Sequence, residues 1–255
     1  MIKIDFTNKI YIITGAASGL GRVVAIELSK LGANLILVDL NNAGLEETKA
    51  YCHPNARIVL LPTDITDFNS LKIHLSEIIE KLDMGGAAGV VHCAGIPCIM
   101  PIKTLSYETY LRVMQVNTFA ALEIVKWFAN KKNHVSDNPS VVLISSVYGL
   151  VGSAGNTAYA MSKGAIQSMT KSLAIELASK GIRVNCVAPG FMHTKMETNT
   201  SKYFDSEHEQ ILESLHPLGL GYADDVAGMI CFLLSEQSRW VTGAIISVDG
   251  GFTAQ

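Results

Sequence analysis

Short runs of β-branched and other apolar residues alternate with longer segments of helical period along the whole chain. This alternation limits the fold to repeated strand–helix–strand units around a buried parallel sheet. Strands are expected at IYIIT (10–14), NLILVD (34–39), ARIVLL (56–61), AGVVHCA (88–94), SVVLISS (140–146), IRVNCVA (182–188) and AIISVD (244–249). Helices are expected over 19–31, 42–52, 67–82, 104–131, 156–179 and 223–235. The fold class is therefore α/β, a seven-stranded parallel sheet wound on both faces by helices. No linker or low-complexity tract interrupts the pattern, and 255 residues with 49% hydrophobic content suffice for one large core, so residues 1–255 read as a single domain. The irregular part, 191–222, is polar, rich in Thr and Ser and placed just past a strand end. It is expected to form a lid over a ligand.

Charge narrows the partners. A net charge of −3 without a basic cluster gives no footprint for nucleic acid. No apolar run reaches the length of a membrane span, and MIKIDFTNK lacks the apolar core of a signal peptide, so a cytoplasmic protein acting on a small molecule is expected. The five cysteines, Cys52, Cys93, Cys98, Cys186 and Cys231, are scattered without a CxxC, which fits reduced packing residues and no metal site.

The stretch TGAASGLG, Thr14 to Gly21, closes the first strand and opens the first helix. Gly15, Gly19 and Gly21, with Ser18 and Leu20 between them, make a turn whose bare backbone lets a pyrophosphate approach the helix N-terminus. The second strand then ends in Asp39, placed to accept hydrogen bonds from both ribose hydroxyls and to repel a 2′-phosphate. Ser18 in the turn, and Leu40 and Asn41 after the acid, offer no cation to such a phosphate. The order strand, glycine turn, helix, strand, acid defines a Rossmann-type dinucleotide site that favours NAD over NADP.

Tyr159 and Lys163, in SSVYGLVGSAGNTAYAMSKGA, stand four apart and share one face of a helix. An ammonium one turn away favours a phenolate, which would make Tyr159 usable as a base near neutral pH. The spacing also arises by chance, so its context decides.

The glycine spacing GxxxGxG, the later YxxxK and the chain length together resemble the short-chain dehydrogenase/reductase family in its compact form. The resemblance spans nearly the whole chain. It implies that Asp64 and Ile65 meet the adenine, and that Cys93, Ala94 and Gly95 line the cofactor where the family carries Asn-Asn-Ala-Gly; His92 and Cys93 replace both asparagines, and His92 reads as a structural histidine. It further implies that Asn117 holds a water linking the lysine to solvent, and that Ser146, thirteen residues before Tyr159, bonds the substrate oxygen. Tyr159 would be the acid/base, Lys163 would also hold the nicotinamide ribose, Pro189, Gly190 and Met192 would lie along the nicotinamide, and Thr194 would bond its carboxamide or a phosphate. Ile96, Tyr148 and Phe191 are candidate substrate contacts, with His193, Lys195 and Lys202 as cations near a lid. By the same resemblance, helices 104–131 and 156–179 would pair in a homotetramer. The implied activity interconverts a secondary alcohol and a ketone. Its rivals are a 3-oxoacyl-(acyl-carrier-protein) reductase, against which Asp39 and Ile175 speak, and a catalytically silent NAD sensor, which would not need Tyr159 and Lys163.

Overall fold

A computed structural model of the chain describes residues 4–135, 137–193 and 211–254. Seven strands form one parallel sheet: β1 (Ile10–Thr14), β2 (Asn34–Asp39), β3 (Ile58–Pro62), β4 (Gly89–His92), β5 (Ser140–Ile144), β6 (Arg183–Pro189) and β7 (Ile245–Val248). Their order across the sheet is β3-β2-β1-β4-β5-β6-β7. All seven expected strands are present: β1 and β2 keep the expected bounds, β4, β5 and β7 are shorter, and β3 and β6 start later and end one residue further on.

The strands are apolar on both faces because both faces are covered. Side chains alternate with a period of two, so Ile10 and Ile12 enter one core while Tyr11 and Ile13 enter the other. The first core lies under α3 (Phe68–Leu82), α5 (Ala120–Phe128) and α6 (Thr157–Leu177), and the second under α1 (Gly19–Lys30), α2 (Asn42–Tyr51) and α7 (Ala223–Leu234). Each fully buried Val, Leu or Ile contributes roughly 1.5–3 kcal/mol of transfer free energy.

One expected helix differs. The segment 104–131 is α4 (Tyr107–Met114), a π-helical turn (Gln115–Phe119), and then α5. The two apolar segments keep continuous helical backbone, but the wider turn inserts one residue and re-aims what lies on it. Asn117 sits in that turn.

Strand order reverses between β1, whose chain runs outward to β2 and β3, and β4, which starts the other half. Crossover connections leave a crevice beyond the carboxyl ends of these two strands. That is where the sequence placed the glycine turn.

Candidate active site

A cavity of about 440 Å³ opens at this crevice and runs from the glycine turn to the start of α6. Gly15 has φ +68°, and a Cβ there would come within 2.7 Å of the Ala94 nitrogen; a Cβ at Gly21 would strike the Gly15 carbonyl. These glycines therefore let the turn close tightly over β4. Gly19, at φ +52°, faces open space. Ser18 is the N-cap of α1 but makes no side-chain cap bond, so its hydroxyl and the helix N-terminus both remain available to an anion. Leu20 completes this end of the cavity.

Asp39 is held rather than merely present. Its Oδ2 accepts the Ala17 N–H at 3.1 Å and its Oδ1 accepts the Asn41 N–H at 2.9 Å, which fixes the carboxylate at the cavity wall with lone pairs to spare. One cation near this end was not legible beforehand. Arg22 folds back from α1 onto the turn, donating to the Ala17 carbonyl, to Thr48 at 3.0 Å and to Glu47 at 2.6 Å. Glu47 compensates its charge, and Arg22 does not border the cavity. Asp64 and Ile65 form the opposite wall. The Thr66 hydroxyl and amide, with Arg112 in support, hold the Asp64 carboxyl below its usual range.

The floor is Cys93, Ala94 and Gly95. Burial pushes the Cys93 thiol up to about 12, so it is a neutral packing group. The missing asparagines are partly replaced: Thr14 and His92 are register partners on β1 and β4, and the Thr14 hydroxyl lies 2.9 Å from His92 Nδ1. The same hydroxyl accepts the Ala94 N–H at 3.3 Å, so one threonine side chain ties the β4 end to β1 at two points. Nε2 is buried without a partner at hydrogen-bond geometry, although the Val116 carbonyl of the π turn pulls on the ring. Burial, with the nearby Lys163 charge, drives His92 down to about 3. His92 is thus a neutral tie between strands.

Ser146, Tyr148, Tyr159 and Lys163 meet at the far end with Ile96, Pro189, Gly190, Phe191 and Met192. Gly190 lets β6 pass the tail, since a Cβ there would lie 2.8 Å from the Asp249 Cα. Ser146 Oγ accepts the Tyr148 N–H at 3.2 Å, and the same hydroxyl bonds the Tyr159 phenol, so the two side chains converge in the cavity. Ser145, the neighbouring serine, instead donates to the Lys163 carbonyl at 2.8 Å. Tyr159 and Lys163 are one turn apart on α6, with the ammonium 5.7 Å from the ring centroid.

Two expectations change here. Lys163 does not lower the Tyr159 pKa in this pocket: burial pushes the phenol up to about 12 against the pull of the Ser146 hydroxyl, while burial takes Lys163 down to about 8. The ammonium donates to the Ile144 carbonyl at 2.8 Å instead of to the phenol. Asn117 is also engaged differently from the expected water holder. Its Oδ1 accepts the Ile96 N–H at 2.8 Å, and its Nδ2 donates to the Ile96 carbonyl and to Ser162 Oγ. The side chain is a clamp on the cavity wall. Thr194, Lys195 and Lys202 lie outside the described residues, as does 194–210 of the expected lid.

Three further residues belong to this end. His216 is buried, donates from Nδ1 to the Leu212 carbonyl at 2.6 Å and accepts the Phe191 N–H at 3.3 Å, while stacking on Phe252 at 4.8 Å. Asn156 borders the cavity three residues before Tyr159. His216 and Phe252 reach the site only through long-range folding, so no local spacing marks them; Asn156 was missed, and the one local signal for it is its place within a turn of the tyrosine.

A family model described as enoyl-(acyl carrier protein) reductase matches residues 15–253. Levodione reductase of Leifsonia aquatica is 30% identical over 98% of this chain and 96% of its own length. A 3-oxoacyl-(acyl-carrier-protein) reductase of Thermotoga maritima is 34% identical over 96% of this chain and 97% of its own. Among solved structures, carveol dehydrogenase from Mycobacterium avium in complex with NAD superposes with a TM-score of 0.88 at 25% identity, covering 98% of this chain and 99% of that one. The chain belongs to the short-chain dehydrogenase/reductase family, and is an oxidoreductase acting on CH–OH groups with a nicotinamide cofactor. Among the described residues, no helix is long and apolar enough to cross a membrane.

Proposed function

We propose that the protein is an NAD(H)-dependent oxidoreductase that interconverts a secondary alcohol and a ketone, with Tyr159 as the acid/base. The observation that carries this reading is one continuous cavity bordered at one end by the glycine turn and Asp39, and at the other by Ser146, Tyr159 and Lys163. The residues fit a dinucleotide: Gly15, Ser18, Gly19, Leu20 and Gly21 would take the pyrophosphate, Asp39 the adenosine ribose, Asp64 and Ile65 the adenine, and Cys93, Ala94, Gly95, Pro189, Gly190 and Met192 the nicotinamide half. Asp39, and the pairing of Arg22 with Glu47, support NAD over NADP.

The nicotinamide supplies the two-electron acceptor or donor when bound. Tyr159 takes the proton of the substrate hydroxyl during oxidation and returns it during reduction. The Ser146 hydroxyl, its oxygen already held by the Tyr148 amide, donates to the same substrate oxygen and steadies it in both directions. Lys163 would hold the nicotinamide ribose and supply positive charge beneath the phenol. Asn117 positions Ile96 on the opposite wall.

The acyl-carrier-protein reductase reading draws support from the Thermotoga maritima relative. Asp39 weighs against it through cofactor choice, and Ile175, 82% exposed on α6, offers an acidic carrier protein no cation. A homotetramer accords with the apolar side chains of Phe119, Met161 and Ile175 left exposed near α5 and along α6. The test is reduced-nicotinamide absorbance with NAD or NADP across secondary alcohols and, in reverse, acetoacetyl thioesters. Turnover of simple alcohols with NAD supports the reading, and turnover of the thioester alone with NADPH overturns it.

A further inference from the structure

Between Tyr148 and Asn156 the chain builds a second polar group beside the catalytic one. Asn156 is only 7% exposed, yet it borders the cavity. Its Nδ2 donates to Ser153 Oγ at 3.2 Å, and the Ser153 hydroxyl also pulls on the Tyr148 phenol. Nothing in the helix start needs this amide, because Asn156 is the N-cap of α6 without a side-chain cap bond. Among the described residues its Oδ1 has no hydrogen-bond partner, and it is not one of the sealed, unsatisfied buried atoms either. An amide oxygen of a cavity-lining residue that is neither bonded nor sealed is an acceptor left accessible.

The walls around it are largely apolar and packed against neighbours. Phe191 meets Tyr148 edge-on at 5.6 Å and is itself fixed by His216 and Phe252. Ile96, Pro97 and Ile99 stand in the same cavity, and Ile99 is pinned near Gly155, whose carbonyl accepts the Met100 N–H at 2.8 Å. Packed, largely apolar walls with a few converging polar groups select a compact, rigid framework carrying polar groups at set positions.

We propose that Asn156 Oδ1, oriented by Ser153 and flanked by the Tyr148 phenol, is a subsite for a second hydroxyl on the substrate, so that the substrate class is a compact alicyclic diol or its hydroxyketone. This rests on the proposed function, in which Ser146 and Tyr159 hold the reacting oxygen. The second hydroxyl donates to Asn156 and is not oxidised; it sets which carbon is presented. Omitting it leaves the amide oxygen facing apolar substrate, which lowers transition-state binding.

The test compares cyclohexanol with 1,2-, 1,3- and 1,4-cyclohexanediol, using NAD and reading kcat/KM. At least one diol is expected to exceed cyclohexanol by about 10-fold, the size of one well-placed neutral hydrogen bond. In Asn156→Leu the ratio of that diol to cyclohexanol should fall toward one, and in Tyr148→Phe, which keeps the aromatic wall, it should fall part of the way. Because each ratio is taken within one protein, loss of folded fraction cancels, and Tyr148→Phe serves if Asn156→Leu does not fold. A wild-type ratio near one for every diol overturns the proposal, as does an unchanged ratio in Asn156→Leu. Failure of all four compounds, with NADH binding intact by fluorescence, overturns the substrate class and leaves the dinucleotide reading standing; loss of NADH binding would strike that reading instead.

Discussion

Lys163 and Tyr159 meet as their spacing foretold, but burial shapes both before any charge interaction does. With the phenol pushed up to about 12, Tyr159 is protonated at neutral pH and ready as an acid, which suits ketone reduction. Oxidation needs the phenolate, so its kcat/KM should climb steadily from pH 7 to 9, whereas reduction should stay level and then fall above about 8 as Lys163 loses its proton. Initial rates in both directions across that range check this, and an oxidation rate that declines with rising pH would contradict it. Lys163→Ala should weaken NADH binding as well as turnover, since it would remove both the proposed ribose contact and the buried charge. On the proposed reading Asp39 selects the cofactor, and repulsion of a 2′-phosphate with lost ribose bonds should favour NAD by roughly 30-fold to 1000-fold. Asp39→Ala should narrow that gap mainly by weakening NAD. Adding arginine at Asn41 would help NADP only at a cost, because Asn41 caps α2 by accepting the Gly44 N–H, a bond worth about 1 kcal/mol. Leu40, exposed at the cavity edge, accepts an arginine without that loss. The comparison is kcat/KM for both cofactors in wild type, Asp39→Ala and Leu40→Arg; equal use of NAD and NADP by wild type would refute the assignment.

Strands and most helices could be read from hydrophobic period alone, because β1, β2 and β5 are continuous apolar runs and α3 a clear amphipathic repeat. The π turn at Gln115–Phe119 could not, since one inserted residue leaves the helical period of 104–131 nearly intact while turning Asn117 inward to grip Ile96 and Ser162. His92 was marked only as a departure from Asn; its bond to Thr14 depends on the β1–β4 register, which the chain sets across 78 positions. That tie has a measurable signature. His92 has a folded pKa near 3, below its usual 6.5, so the unfolded chain binds a proton that the folded one refuses. Its stability contribution is therefore full above about 6.5 and is lost as pH falls toward 3, by about 2 kcal/mol between pH 7 and 5. Urea unfolding at both pH values should show a smaller loss in His92→Gln than in wild type. Equal losses would mean that His92 is not buried neutral.

For the whole molecule, the crevice at the reversal of strand order follows from topology, and the glycine turn and Asp39 could be assigned to it from sequence because they are local to β1 and β2. The substrate end was less legible, for it is assembled from β6, the 211–222 return and the tail, segments far apart in the chain that meet at His216. The apolar stretch AALEIVKWF lies largely inside the chain's own core, so it argues less for association than its composition suggested; Ile175 and Trp240, 82% and 96% exposed, argue more. Light scattering at micromolar concentration should give a tetramer, and a stable monomer would reject that assembly without touching the fold. The deciding measurement is NAD-dependent oxidation of a secondary alcohol by wild type and by Tyr159→Phe, with NADH affinity determined alongside. Removing one hydroxyl should cut kcat by about 10²–10⁴ or more while NADH affinity stays within about twofold. If Tyr159→Phe keeps most of its turnover, the proton passes through another group and the assignment of Tyr159 fails.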